Sequence, residues 1–137
     1  MRLTRIATLV ATLLVLSACQ RESAPLGSAP SDKGAVETQV IAATSSPAIS
    51  VDPATMKGCD NLVATVKWDA NKADVSTNST EIWVGPSMTD IKLFAAGGTQ
   101  GEIQTGPWTA PGTHFILKNK EGGKVLAEAI VGGPKCH

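Results

Sequence analysis

The chain contains no tyrosine, two phenylalanines and three tryptophans in 137 residues, and these aromatics all fall between Trp68 and Phe115. With so few large rings, a packed core is expected only in the C-terminal two-thirds of the sequence. Histidine is as scarce. Of the two, His137 is the last residue, which leaves His114 as the one expected within a fold. A Ser/His/Asp arrangement would have to use His114, and no G-x-S-x-G run is present to expose a serine. Asp60, Asp69, Asp74 and Asp90 lie in turn-like sequence, where carboxylates are usually solvated, so no acid–base pair stands out. Gly97-Gly98-Thr99-Gln100-Gly101 lacks the Lys-Ser/Thr of a phosphate-binding loop and suits a turn. No enzyme activity and no cofactor are therefore expected. An excess of either charge is also missing, since the 12 Lys and Arg balance the 12 Asp and Glu. Without clustered basic residues there is no electrostatic footprint for nucleic acid.

The start of the chain is built differently. Arg2 and Arg5 form a basic head, and residues 6–16 form an apolar run of the length signal peptides use. The run is too short to cross the ~30 Å of bilayer hydrocarbon as a helix, which takes about 20 apolar residues. It closes on Leu16-Ser17-Ala18-Cys19 and gives way at once to polar Gln20-Arg21-Glu22. This sequence resembles the lipobox of bacterial lipoproteins: a branched apolar residue, two small residues and a cysteine. The resemblance implies a signal peptide over residues 1–18, cleavage before Cys19, and a lipid on the Cys19 sulfur that ties the protein to a membrane. Each buried CH₂ contributes about 0.8 kcal/mol, so one acyl chain holds marginally and two or more hold firmly. In the sorting rule of this family an Asp after the cysteine retains a lipoprotein at the inner membrane. Gln20 stands there instead, which implies the outer membrane of the cell envelope, facing the periplasm.

Residues 19–45 are rich in Ala, Ser, Thr, Gly and Pro. Such a segment buries too little apolar surface to offset its ordering entropy, so a flexible, disordered linker behind the lipidated Cys19 is expected. About 26 residues give a root-mean-square span of about 25–30 Å. One apolar cluster, Val40-Ile41-Ala42-Ala43, could dock as an edge strand but is assigned to the linker.

From residue 46 onward, short runs of β-formers alternate with turn residues. Strands are expected near 49–51, 62–68, 81–85, 91–95, 102–105, 113–118 and 125–131. Asp69-Ala70-Asn71, Gly85-Pro86, Pro111-Gly112 and Glu121-Gly122-Gly123 supply turns between them. Residues 124–131 also have the composition of a short helix, but their length and the closing Gly132-Gly133-Pro134 favour a strand. The expected class is all-β, a seven-stranded antiparallel β-sandwich over residues 46–137. Val66-Lys67-Trp68-Asp69-Ala70, Glu81-Ile82-Trp83-Val84, Leu93-Phe94-Ala95-Ala96-Gly97-Gly98, Thr105-Gly106-Pro107-Trp108 and Pro111-Gly112-Thr113-His114-Phe115 occur in that order. Together they resemble a bacterial immunoglobulin-like or fibronectin-type-III-like domain. That resemblance implies a sandwich and says little about activity, because sandwiches host unrelated functions.

With Cys19 carrying lipid, Cys59 and Cys136 remain as a pair in an oxidising compartment, where a disulfide is expected. Closing a loop of about 77 residues contributes about 4.5 kcal/mol in the chain-entropy account. The alternative, a metal held by Cys59, Asp60, Cys136 and His137, lacks any CxxC or HxxxH spacing, so no metal is expected.

Alternation along the strands sorts side chains into faces. Leu62, Ala64, Val66 and Trp68 share the core side, as do Ile82 with Val84, Phe115 with Leu117, and Ala127 with Ala129 and Val131. Outward positions are Trp83, His114, Ile116, Leu126, Glu128 and Ile130. In the sandwich family the strands that carry them are neighbours. Trp83, His114, Ile116, Glu128 and Ile130 would then form one outer face, with Trp83, Ile116 and Ile130 exposed. Trp108 is expected at a corner, over a sheet edge. An exposed apolar patch around a Trp marks a protein interface or a sugar platform. The expected function is a non-catalytic binding or adaptor module for another envelope protein. The alternative is a carbohydrate- or peptidoglycan-binding module whose Trp stacks on sugar rings.

Overall fold

The computed structural model describes residues 39–137. The signal peptide expected over 1–18, the expected lipid site Cys19 and the expected linker residues 20–38 lie outside the described residues. The strands are β1 (Val40–Ile41), β2 (Ile49–Asp52), β3 (Thr65–Asp69), β4 (Thr80–Gly85), β5 (Lys92–Gly97), β6 (Gln100–Gln104), β7 (His114–Asn119), β8 (Val125–Ile130) and β9 (Gly133–Pro134). All pair antiparallel. They make a three-stranded sheet in the order β2-β3-β6, a four-stranded sheet in the order β5-β4-β7-β8, and the short pair β1-β9. The fold is all-β and sandwich-like, and each of the seven runs expected from alternation overlaps one of the strands β2 to β8. Residues 125–130 are strand, not helix.

Local chemistry ends the strands where the turn residues fall. The Asp69 carboxylate accepts the Asn71 N–H at 3.2 Å and starts the 3₁₀ turn Ala70–Lys72. Gln100 beside Asp69 holds its carboxyl below the usual range, with Asn71 and Lys72 adding to the effect. The β7–β8 turn needs Gly123 at φ +65°, and its N–H donates to the Asn119 carbonyl at 2.8 Å.

The core draws on both larger sheets: Ile49, Val51, Val66 and Trp68 from one, Ile82, Phe115, Leu117 and Ala129 from the other. Burying such side chains stabilises by about 1.5–3 kcal/mol each before chain entropy is subtracted. Trp68 fits because its partner in register is Gly101, where a Cβ would lie 2.3 Å from the ring. Its indole N–H donates to the Gly98 carbonyl at 3.2 Å, so burial leaves no orphan donor.

Three features differ from the expectations. Pairing begins before residue 46: Val40 and Ile41 face Pro134 and Gly133, and Thr44 faces Ile130 in the same register. The apolar cluster assigned to the linker thus docks, satisfying backbone groups that would otherwise be unpaired on both segments and half-burying Ile41. Leu126, expected outside, packs against the core. A bulge explains it, since register shifts between Leu117 and Lys118 and one extra residue is accommodated in β8. Finally, β1 and β9 add to the seven strands anticipated.

Cys59 is bonded to Cys136, with Cα atoms 5.7 Å apart. Both sulfurs are consumed in that bond, which removes them as metal ligands. The disulfide joins the β2–β3 loop to the tail beyond β9.

The two ends of the sandwich can be told apart by these contacts. At one end stand Gly85, His114 and Ile130, together with the segment after β2, because Met56 N–H donates to Gly132 O and Gly132 N–H to Ala54 O, both at 2.9 Å. The described chain enters here, since Lys135 N–H donates to Gln39 O at 2.8 Å. At the other end Trp68 and Thr80 both donate to the carbonyl of Gly98.

Candidate functional site

The outer face of the four-stranded sheet is set by register. One row across the strands is Leu93, Trp83, Ile116 and Glu128. The next is Gly85, His114 and Ile130, and on the other side Glu81 faces Lys118. Trp83, His114, Ile116, Glu128 and Ile130 therefore lie on adjacent strands of one face.

Their exposure is not what alternation alone suggests. Ile116 is 0% exposed. It occupies a central strand, with Trp83 and Glu128 opposite it on either side and His114 and Lys118 two residues away on its own. Those four side chains are tied in pairs: the Lys118 ammonium lies 4.6 Å from the Trp83 ring centre, and His114 Nδ1 is 2.6 Å from Glu128 Oε1. Long side chains lay their stems over a smaller neighbour, and here they enclose it. Trp83 and Ile130 are half-buried rather than open. The Trp83 indole N–H donates to Glu81 Oε2 at 3.0 Å. Ile130 exchanges backbone hydrogen bonds of 3.0 and 2.8 Å with Thr44, so the leading segment covers that edge.

Val125, 42% exposed and opposite Lys118, stands open on this face, as does Leu93, 52% exposed and opposite Trp83. Sequence alternation could not assign Leu93. A bulge between Ile82 and Trp83 lets Ala95 pair with Ile82 while Leu93 pairs with Trp83, and Phe94 packs edge-on to Phe115 at 6.2 Å. The unbroken apolar run Leu93-Phe94-Ala95-Ala96 was the available signal, because a strand without alternation has no single inward side.

Chemically, the face offers one pinned ring, the open aliphatic side chains of Leu93 and Val125, and a rim of Glu81, Lys118, His114 and Glu128. The ammonium on the ring is a cation–π contact worth about 0.5–1 kcal/mol at an exposed site. It also occupies one side of Trp83, and the indole N–H is already engaged, so Trp83 is no bare plate for a sugar. The register neighbours of the His114–Glu128 pair are Ile116, Ile130 and Gly85, none of which supplies a nucleophile.

A second feature lies at the end where the chain enters. An apolar cleft of about 360 Å³ is lined by Val84, Pro86, Trp108, Pro111 and Gly112, among others. Trp108 is 40% exposed and packs edge-to-face on Phe94 with centroids 5.6 Å apart.

No protein-family model, no curated protein and no solved structure matches this chain.

Proposed function

We propose that the protein is a lipid-anchored, immunoglobulin- or fibronectin-type-III-like module of the bacterial cell envelope. It binds another envelope protein through the outer face of its four-stranded sheet and carries out no chemistry. The anchor half of this reading rests on Leu16-Ser17-Ala18-Cys19. Strand order supports the domain half. Among the seven longer strands, the first, second and fifth share one sheet and the third, fourth, sixth and seventh share the other. Immunoglobulin-type sandwiches divide strands A, B, E and C, F, G in the same way.

The observation that carries the binding reading is the Trp83–Leu93 pair, in direct register on β4 and the edge strand β5. Charged groups surround it, which is the apolar-centre, polar-rim anatomy of protein interfaces. A Trp already held by Glu81 and Lys118 loses little further freedom when a partner arrives.

A photo-crosslinking residue at position 93 tests this in intact envelopes. A discrete protein adduct that disappears with Trp83→Ala, and does not form from position 67 on the outer side of the three-stranded sheet, is the expected result. Muropeptide or glycan binding lost in Trp83→Ala, without a protein adduct, would establish the sugar alternative instead.

A further inference from the structure

We infer that the end at which the chain enters is a lipid-contact surface, which lays Trp108, Met88 and Val40 against the bilayer. This rests on the Cys19 anchor proposed above and adds an orientation to it.

Among the described residues, the large apolar side chains left exposed are Val40, Val63, Met88, Leu93, Trp108 and Val125. Their placement is lopsided. Val40 pairs beside the tail at the entry end, Met88 is in the loop after Gly85, and Trp108 is in the connection between β6 and β7. Val63 adjoins them, because Leu62 bridges to Thr109. Leu93 belongs to the sheet face, and Val125 lies at the opposite end, beside Lys118. The clefts follow the same division. The Trp108 cleft and a second one lined by Pro53, Met56 and Leu62 open at the entry end. The cleft at the far end is lined by Asn71, Asp74, Ser76, Thr77 and Asn78, and is polar.

Chain length supplies the occupant. Gln39 is held at the entry end through the backbone and side chain of Lys135, the latter at 3.1 Å. From Cys19 to Gln39 is about 20 residues, whose covalent reach is at most about 70 Å. The tether leaves the domain at this end, so an anchored chain holds it near the bilayer at high effective concentration and weak contact suffices. Trp favours the boundary between headgroups and hydrocarbon, and Met and Val in loops can enter it. Lys57, Lys92 and Lys135 at this end are matched by Asp52, Asp60 and Asp90. The contact is therefore apolar, with no demand for anionic lipid.

The test uses the full lipidated chain, purified and reconstituted into phosphatidylcholine vesicles or into phosphatidylethanolamine–phosphatidylglycerol vesicles. Mass spectrometry of the N-terminal peptide reads the acyl groups, and hydroxyl-radical labelling reads exposure. The comparator is the unlipidated chain from Gln20 onward in buffer, which keeps the whole described core and the disulfide. Met88 and Trp108 should label several-fold more slowly on either vesicle, with Val125 unchanged. Acyl mass with equal labelling would overturn the lipid contact and leave the anchor standing. A missing acyl mass would remove both. Protection that grows with protein concentration in the unlipidated chain would assign the surface to a second copy and overturn the proposal.

Discussion

At the far end of the sandwich the turns are mostly Asn, Asp, Ser, Thr, Lys, Glu and Gly, with Pro47, Val75 and small alanines among them, whereas at the entry end the loops carry the larger apolar side chains of Met56, Met88 and Trp108 along with Pro53, Pro86 and Pro111. Met56 is part of the core and Trp108 packs on Phe94, but core packing does not account for Met88 or for the open part of Trp108. Far-end residues satisfy their own backbone: Asp69 accepts from Asn71, Asn119 Oδ1 accepts the Glu121 N–H at 2.8 Å, and Thr77 donates to Ser79 O at 2.8 Å. Turns of this kind need only water outside them. Entry-end loops have such bonds too, from the Asp90 N–H to Ser87 Oγ at 3.2 Å and from the Thr113 hydroxyl to Ala110 O at 2.8 Å, and add prolines, the disulfide and packing, yet they leave Met88 and Trp108 in solvent. An apolar side chain on a loop forms no such local bond, and several together point to something beyond the domain.

Substitutions along this axis should separate support of the fold from contact beyond it. Trp68, buried near the far end, should show the largest effect: Trp68→Ala removes a core ring and should lower unfolding free energy by about 3–5 kcal/mol in urea titrations. Cys136→Ala opens the staple at the entry end and should lower it by about 2–5 kcal/mol, a loss matched by reducing the wild-type disulfide. Trp83→Ala should fall between core and surface, at about 1–2 kcal/mol, because it strips half-buried area and uncovers Ile116. Met88→Ser should change stability by under about 0.5 kcal/mol while weakening protection of Trp108 on vesicles. If Met88→Ser destabilised as much as Trp83→Ala, the entry-end loops would belong to the fold and the contrast between ends would lose its meaning.

Much of the architecture was legible beforehand. Apolar alternation and turn residues located β2 to β8, and the inward positions Ala64, Val66, Trp68, Ile82, Phe115, Leu117 and Ala129 are buried. These signals are local: strand period and turn geometry depend on residues a few positions apart. The bulges were not legible, and they moved Leu126 inward and turned Leu93 and Val125 to the outer face.

Strand periodicity and the paired cysteines were thus determined by the residues themselves, because backbone geometry and thiol chemistry are carried by each short segment and by simple count. Exposure was decided only in three dimensions. Ile116 is buried by side chains from β4 and β8, Val40–Ile41 docks because Gly133–Pro134 offers a free edge, and the apolar end gathers loops centred near residues 58, 88 and 108. Which atoms meet water depends on what a distant stretch of chain lays over them, and no periodicity within one strand encodes that.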